Sequence, residues 1–286
     1  MLPNIKILHL EPTDVCQAAC PQCARETDST FRKDLKHHLS MGQVLDVFDA
    51  SRISALDKMF MCGNYGDPAA GKHTLEIYQE FRKINPGIVL GMNTNGALQN
   101  TAWWEELASI LNQSRDFVVF SIDGLEDTNH LYRKNVDWEK LLQNVSAFIK
   151  AGGQAHWDML VYQHNQHQVD QCQSLAKSLG FRWFRTKVSK RPLLGQLQYP
   201  VHWKSTKTTG NIMCHALAES SAYINSQGIY YVCCWLANST NTVINDINQV
   251  QPTWNTNNPH HICAAHCSSQ GYSTAFGNQW RQEIEL

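Results

Sequence analysis

The sequence predicts an α/β fold, namely a partial (β/α)6 barrel of parallel strands followed by a small C-terminal part that contains a β-hairpin. Apolar runs typical of buried strands alternate with amphipathic helical patterns through the first two-thirds of the 286-residue chain. This series gives no sign of a topological reversal, which favours a curled sheet with helices packed outside it. The alternation ends after Val188.

Each strand is predicted from a short apolar run that ends in polar or glycine-rich residues. The first run reads "IKILHLEP", the second "LDKMFMCG", and the third, "GIVLGMNTNG", closes with a turn sequence. Active sites of such barrels collect at the carboxyl ends of the strands, so the residues after each run are the candidate site residues. The six predicted strands span residues 5–12, 56–63, 87–96, 116–124, 154–163 and 181–188.

Helices are predicted between the strands, from apolar residues at three- to four-residue spacing. Ser40 is placed to cap the first helix, Pro86 and Gly87 close the second, and a glycine pair ends the fourth. The predicted helices span residues 39–50, 73–85, 101–112, 137–153 and 167–180.

The remaining sequence changes character. Residues 189–211 contain two prolines, two glycines and many polar residues, which predicts a loop or linker. The segment "SAYINSQGIYYVCC" (221–234) has two alternating runs around a short turn, with Gly228 at a position that favours positive φ. We therefore expect the barrel over residues 1–190, a linker over 191–213 and a second unit over 214–286.

Net charge, apolar runs and cysteine number argue against several classes of protein. A net charge of -1 argues against attraction of the whole chain to nucleic acid or to an anionic membrane. No stretch approaches the ~20 apolar residues of a membrane span, and the N-terminal sequence lacks the pattern of a signal peptide. Ten cysteines in such a chain are better explained as metal ligands or free thiols than as disulfides. We expect a cytoplasmic protein.

Three of the cysteines, Cys16, Cys20 and Cys23, follow the first strand in a C-x3-C-x2-C pattern. A disulfide scaffold favours even numbers of cysteines, and a structural zinc site favours four closed ligands. An iron–sulfur cluster held by three thiolates accounts for the number, because it leaves one iron free to bind another molecule.

This pattern, placed after the first of six βα units, resembles the radical S-adenosylmethionine (AdoMet) superfamily. The resemblance implies that Cys16, Cys20 and Cys23 hold a catalytic [4Fe–4S] cluster whose open iron binds AdoMet. It also implies an enzyme of the oxidoreductase type that cleaves AdoMet reductively and removes a substrate hydrogen with a 5′-deoxyadenosyl radical. Before the third cysteine the family usually has an aromatic residue, and this chain has Gln22.

Three further segments resemble the AdoMet-binding motifs of the family in order and spacing. "GNYGDP" after the second strand matches the motif that meets the methionine amino group. "NTNG" after the third matches a segment that contacts ribose. "SIDGLEDTNHLYRK" after the fourth matches the segment that binds the methionine carboxylate, for which an arginine fork is well suited. The matching AdoMet-binding residues are Gly66, Asp67, Asn95, Ser121 and Arg133.

A second cysteine group, Cys214, Cys233, Cys263 and Cys267, has the form C-x13-G-x4-C followed by a close pair. It resembles the twitch extension, a shortened SPASM domain that binds one auxiliary [4Fe–4S] cluster. The usual close pair has two intervening residues, whereas this one has three. A structural zinc site of four thiolates is the alternative.

A basic segment late in the barrel bears on the class of substrate. No acidic residue occurs between Asp170 and Glu219, whereas Lys187, Lys190, Arg191, Lys204 and Lys207 all fall there, which favours a surface for anions. The family resemblance then suggests a peptide or protein that is oxidised, crosslinked or epimerised, with flavodoxin or ferredoxin as electron donor. The alternatives are a small-molecule alcohol or sugar dehydrogenase and an RNA-modifying enzyme.

Overall fold

A computed structural model of the chain describes residues 4–189, 191–201, 212–237, 243–256, 258–267 and 282–286. The six strands of the predicted barrel are all present, and each pairs in parallel with the next. They are β1 (Ile7–Leu10), β2 (Lys58–Met61), β3 (Val89–Thr94), β4 (Phe117–Ser121), β5 (Ala155–Leu160) and β6 (Trp183–Lys187).

Three later strands extend both edges of this sheet. They are β7 (Ser221–Ile224), β8 (Tyr230–Tyr231) and β9 (Gln282–Glu285). Within the described residues the strand order is β8-β7-β1-β2-β3-β4-β5-β6-β9, so the barrel is not closed. The parallel six-stranded fold predicted from the sequence is confirmed, whereas β9 was not predicted.

Eleven α-helices occur in the described residues, and the five predicted ones are among them. Ser40 caps the first predicted helix, which begins at Met41. The Ser40 side chain accepts a hydrogen bond from the backbone N of Gln43, and the Gln43 side chain accepts one from the backbone N of Ser40. The helices are α1 (Ala24–Thr27), α2 (Met41–Val47), α3 (Ala50–Ser54), α4 (Thr74–Ile84), α5 (Thr101–Ile110), α6 (Glu126–Tyr132), α7 (Trp138–Lys150), α8 (Val169–Leu179), α9 (His215–Ala218), α10 (Cys234–Ala237) and α11 (His261–Cys267). Short 3-10 helices span Pro68–Ala70, Gln166–Gln168, Ile247–Gln249 and Gln251–Thr253.

The predicted hairpin is confirmed, and it joins the barrel sheet. Strand β7 pairs in parallel with β1, with Leu8 opposite Ala222, and antiparallel with β8. Gly228 has a φ of +78°, as the turn requires. The second strand is shorter than expected, because helix α10 begins at Cys234. Cys233 and Cys234 are therefore not neighbours on one strand.

The two faces of the sheet differ in chemistry, because side chains alternate along a strand. One face is apolar and packs into the main core together with residues of the helices, such as Phe81 and Phe148. The other face carries His9 on β1, stacked on Phe60 of β2 with ring centroids 4.5 Å apart. It also carries Asp158 and Arg185, which form a buried ion pair. The polar face is the concave side expected to hold substrate and cofactor.

No helix in the described parts of the chain is both long enough and apolar enough to cross a membrane.

Candidate active site

The predicted site residues of the barrel gather where its parallel strands end. The cysteines of the first group lie on the long loop after β1, and the other motifs follow β2, β3 and β4. Because parallel strands end at the same edge, one side of the sheet collects them all. These residues are Cys16, Cys20, Cys23, Gly66, Asp67, Asn95, Ser121 and Arg133.

Two cysteines of the first group, Cys16 and Cys20, lie in surroundings that favour the neutral thiol. Burial raises the pKa of Cys16 to about 12, and the nearby charges of Asp67, Cys20 and Cys23 raise it as well. Burial also raises the pKa of Cys20, whereas the guanidinium of Arg133 lowers it. Thiolates rather than thiols ligate metals, so these two sulfurs require a cationic group to stay ionised.

Hydrogen-bond donors lie near two of these sulfurs, those of Cys16 and Cys20, as expected for thiolates that ligate an iron–sulfur cluster. The backbone N of Ala18 lies 3.4 Å from Cys16 Sγ, and Asn95 Nδ2 lies 3.7 Å from it. Arg133 Nη1 lies 3.8 Å from Cys20 Sγ. Such donors orient the ligands and stabilise negative sulfur, so the donor set fits a three-cysteine cluster.

Asp67 is the centre of a buried hydrogen-bond network that fixes the end of β3. Its Oδ2 accepts from the backbone N and from Nδ2 of Asn95, both at 2.7 Å. Its Oδ1 accepts from Thr94 Oγ1 at 2.8 Å and from Ala69 N at 3.0 Å. Asn95 Oδ1 accepts in turn from Gln17 Nε2 at 2.7 Å, beside Cys16. The network ties the motif after β2 and the motif after β3 to the cysteine loop.

Arg133 is held by a carboxylate that the sequence motif did not single out. Its Nε donates to Asp123 Oδ2 at 2.6 Å. Burial alone would lower the pKa of Arg133, but the charges of Asp123 and Cys20 raise it well above its ordinary value. Asp123 Oδ1 also accepts from the backbone N of Leu160 at 2.6 Å. Ser121 ends β4, two residues before Asp123.

The loop after β2 lies in direct contact with the cysteine loop. A Cβ on Gly66 would lie 1.9 Å from the carbonyl oxygen of Thr13, and a Cβ on Gly63 would lie 1.9 Å from the carbonyl oxygen of Gly66. The backbone N of Asp67 donates to Val15 O at 2.9 Å. Only glycine permits this approach, which brings the backbone of the loop after β2 against the start of the cysteine loop.

Gln22, which replaces the usual aromatic residue, is fully engaged in hydrogen bonds. Its Oε1 accepts from Tyr162 Oη at 2.6 Å. Its Nε2 donates to the carbonyl oxygens of Arg191 and Pro192 at 3.0 and 2.8 Å, and its own carbonyl accepts from Arg191 Nη1 at 2.7 Å. An aromatic side chain could not accept and donate in this way. Gln22 thus ties the cysteine loop to the segment that follows β6.

The second cysteine group also comes together. Burial raises the pKa of Cys233 to about 12, and Cys214 and Cys267 lie close enough for their charges to raise it further. Burial raises the pKa of Cys267 to about 12 as well, with contributions from Cys214 and Cys263. The three residues between Cys263 and Cys267 form part of α11. The pair is therefore one helical turn apart on the same helix face.

His266, between the last two cysteines, stacks on Trp235 with ring centroids 3.9 Å apart. Among the residues that the structure describes, no three His, Cys, Asp or Glu side chains lie close enough together to hold a single metal ion.

The basic segment after β5 only partly matches the predicted surface. Arg185 is buried, with its Nε 2.5 Å from Asp158 Oδ1, and Lys187 ends β6 in a partly buried position. Arg191 is held by Gln22. The other basic residues of that prediction, Lys190, Lys204 and Lys207, lie outside the described residues. The basic residues of the predicted surface that the structure describes, Lys187 and Arg191, are thus only partly exposed.

Besides Asp123, sequence reasoning missed two residues that organise the site. Glu11 is buried after β1, where it accepts hydrogen bonds from the backbone of the loop after β2. Asn64 lies between Cys23 of the first cysteine group and Cys234, the neighbour in sequence of Cys233 in the second: Cys23 Sγ lies 3.7 Å from the Asn64 carbonyl oxygen, and Asn64 Nδ2 donates to Cys234 O at 2.9 Å. A glutamate directly after an apolar strand is a weak signal of the first role, and no local signal marks the second.

Comparison with protein families matches the chain to the radical SAM superfamily over residues 10–171. This chain therefore belongs to the radical SAM superfamily. Its members are enzymes that use a [4Fe–4S] cluster and AdoMet, and the three-cysteine loop and the AdoMet motifs described above fit both cofactors. Comparison with curated protein sequences finds no significant match.

Solved structures share the fold at low sequence identity. A polyhistidine-tagged anSMEcpe with bound AdoMet superposes with a TM-score of 0.60 at 17% identity, covering 80% of this chain and 71% of that chain. Streptococcus suis SuiB bound to S-adenosylmethionine gives a TM-score of 0.58 at 12% identity, covering 85% of this chain and 63% of that chain. SuiB bound to the precursor peptide SuiA gives a TM-score of 0.59 at 12% identity, covering 85% of this chain and 62% of that chain.

The Asp67 network predicts the effect of Asp67→Asn. An amide keeps one acceptor oxygen and replaces the other with an NH2 group that faces two N–H donors of Asn95. Buried donors without an acceptor cost about 1–3 kcal/mol, so we expect that loss of unfolding free energy. Urea unfolding of the cluster-free protein measures it, with the exposed Asp46→Asn as matched control. Equal stability of the two variants would contradict the role of the network.

Proposed function

We propose that this enzyme removes a hydrogen atom from a peptide or protein substrate and oxidises the resulting radical with the help of a second [4Fe–4S] cluster. When bound, the first cluster and AdoMet supply an electron and a 5′-deoxyadenosyl radical, and the second cluster accepts an electron from the substrate. The observation that carries the proposal is that one residue, Asn64, contacts both Cys23 of the first group and Cys234, the residue next to Cys233 of the second group.

In the first site, the residues of the chain bind and orient the cofactors. Cys16, Cys20 and Cys23 are the proposed cluster ligands. The backbone at Gly66 and Asp67 is proposed to meet the methionine amino group, since the Asp67 oxygens already accept four hydrogen bonds. The remaining proposed contacts are those of Asn95 with ribose and of Ser121 and Arg133 with the methionine carboxylate.

Arg133 suits this role for an electrostatic reason. One nitrogen, Nε, is bound to Asp123, which fixes the plane of the guanidinium. Nη1 lies 3.8 Å from the sulfur of Cys20, one of the proposed cluster ligands. The guanidinium would therefore present an oriented, permanently charged group to the methionine carboxylate of bound AdoMet.

The proposed ligands of the second cluster are Cys214, Cys233, Cys263 and Cys267. Burial raises the pKa of all four thiols, and the charges of other members of the group raise those of Cys233, Cys263 and Cys267 further. A cationic centre bound there would offset that repulsion between thiolates. The carbonyl oxygen of Cys234, next to Cys233, accepts a hydrogen bond from the side chain of Asn64, in the loop after β2 that is proposed to bind AdoMet. Such closeness suits electron transfer between a substrate at AdoMet and the second site, which favours net oxidation. Flavodoxin or ferredoxin is the proposed external electron donor.

The proposed substrate is an acidic peptide or protein segment. Lys187 ends β6 on the same face as Arg185. Burial lowers the pKa of Lys187, the charge of Asp158 raises it, and the charge of Arg191 lowers it. Lys187 and Arg191 are thus two cations close to each other near the end of β6, which supports an anionic segment as the substrate. Peptide binding by fold neighbours, an anSMEcpe with the Cp18Cys peptide and SuiB with SuiA, supports a peptide. All ten cysteines are free thiols, which suits a reducing cytoplasm.

Cys214→Ser tests the second cluster. Anaerobically reconstituted wild type should hold ~8 irons per chain and the variant ~4, since one four-iron cluster is lost. AdoMet cleavage without substrate should persist, because the first cluster keeps its ligands. Cys172→Ala, a buried core cysteine outside both groups, is the control. Zinc in the second site of the wild type, or ~4 irons in both proteins, would contradict the assignment.

A panel of acidic peptides tests the substrate class. Acidic peptides should stimulate 5′-deoxyadenosine formation by the reconstituted enzyme, and copies with Gln and Asn in place of Glu and Asp should not. The stimulation should weaken as salt rises, since exposed charges attract over about 8 Å at physiological ionic strength. Equal stimulation by charged and neutral copies would exclude acidic recognition. Stimulation by sugars or alcohols instead of peptides would favour the small-molecule dehydrogenase.

A further inference from the structure

Glu11, the first residue after β1, joins two distant parts of the chain through one carboxylate. It is 1% exposed. Its Oε1 accepts from the backbone N of Tyr65 at 2.7 Å and of Gly66 at 3.2 Å, in the loop after β2. Its Oε2 accepts from Tyr223 Oη at 2.5 Å, in the C-terminal hairpin. The backbone N of Glu11 donates to Ile224 O at 2.9 Å, next to Tyr223.

A carboxylate in this position is costly for the fold. Burial raises the pKa of Glu11 to about 7, and the hydrogen bonds from Tyr223, Tyr65 and Gly66 lower it. The carboxylate therefore depends on these donors to stay ionised near neutral pH. Without the acceptor, two buried N–H groups in the loop would lose their partner, which explains why an apolar residue does not replace it.

The loop that Glu11 holds has little freedom to move. Gly66 lies against Thr13 so closely that a methyl group would overlap the carbonyl. Asn64, one residue before Tyr65, contacts Cys23 on one side and the carbonyl oxygen of Cys234 on the other. Two independent links, Glu11 with Tyr223 and Asn64 with Cys234, thus connect this loop to the hairpin region.

We propose that Glu11 is a positioning residue for AdoMet, and that Tyr223 holds Glu11 in place so that the C-terminal hairpin sets the barrel's affinity for AdoMet. Glu11 fixes the Tyr65–Gly66 backbone at the position where the methionine amino group is expected. Tyr223 acts one step further away, through the second oxygen of the same carboxylate. The proposal rests on the assignment of the Gly66 loop to AdoMet, which is part of the proposed function.

AdoMet binding to the anaerobically reconstituted full chain tests the coupling. Tyr223→Phe removes only the hydroxyl that contacts Glu11 and should raise the Kd for AdoMet about 5-fold, less than the roughly 10-fold or more of a hydrogen bond to a charged group, because Tyr223 acts on AdoMet only through Glu11. Tyr231→Phe, on the paired strand of the same hairpin, is the matched control and should leave the Kd unchanged. Iron content and kcat for AdoMet cleavage at saturation should stay at wild-type values, so that the effect falls on KM.

Two Glu11 variants test the positioning role. Glu11→Gln keeps an oxygen for the Tyr65 and Gly66 N–H groups and an NH2 group that can donate to Tyr223 Oη, so the Kd should stay within about 3-fold of wild type. Glu11→Leu removes the acceptors and should raise the Kd about 10-fold or more. If Glu11→Gln raised the Kd for AdoMet as much as Glu11→Leu does, the positioning role of Glu11 would be overturned.

Gly66→Ala separates this proposal from the loop assignment on which it rests. If Gly66→Ala weakens AdoMet binding and Tyr223→Phe binds like wild type, the coupling to the hairpin is wrong although the loop assignment holds. If neither variant changes AdoMet affinity while both keep their iron, the assignment of the loop to AdoMet is wrong, and the coupling is overturned with it.

Discussion

The site depends on a conflict between burial and charge at Cys16 and Cys20, two of three cysteines within eight residues. Burial favours neutral thiols, since it raises the pKa of Cys16 to about 12, while the proposed cluster ligation requires thiolates. The proposed iron–sulfur cluster would resolve the conflict because it brings the compensating positive charge. Much of the surrounding structure holds the cysteine loop in place: the Asp67–Asn95 network, the Arg133–Asp123 pair and the Gln22 hydrogen bonds.

The parallel sheet makes this arrangement possible. Strands that run in one direction end at one edge, so short motifs that are separated in sequence by a helix and a strand become neighbours. The apolar face of the sheet packs on the helices and supplies the core, which leaves the concave face available for polar groups such as His9, Asp158 and Arg185. The strand pair β1–β7 then places the C-terminal hairpin beside β1, where Tyr223 contacts Glu11.

The sequence predicted what local patterns determine. Hydrophobic periodicity located the six barrel strands, and the Ser40 cap and the Gly228 turn were predicted from the preferences of single residues. Long-range partners could not be predicted in this way. The parallel pairing of β7 with β1 and the contact of Glu11 with Tyr223 join residues about 210 positions apart, and no short segment encodes either. Helix α10 begins where strand alternation suggested a continued hairpin, because the run "YYVCCWLA" is compatible with both structures.

The most direct test is the reductive cleavage of AdoMet by the full chain, reconstituted with iron and sulfide without oxygen and reduced with dithionite. We predict that the wild type forms 5′-deoxyadenosine and methionine. Replacing Cys16, Cys20 and Cys23 together with alanine should abolish the formation of 5′-deoxyadenosine while the protein stays folded. Continued formation of 5′-deoxyadenosine by the triple variant at the wild-type rate would contradict the role proposed for these cysteines.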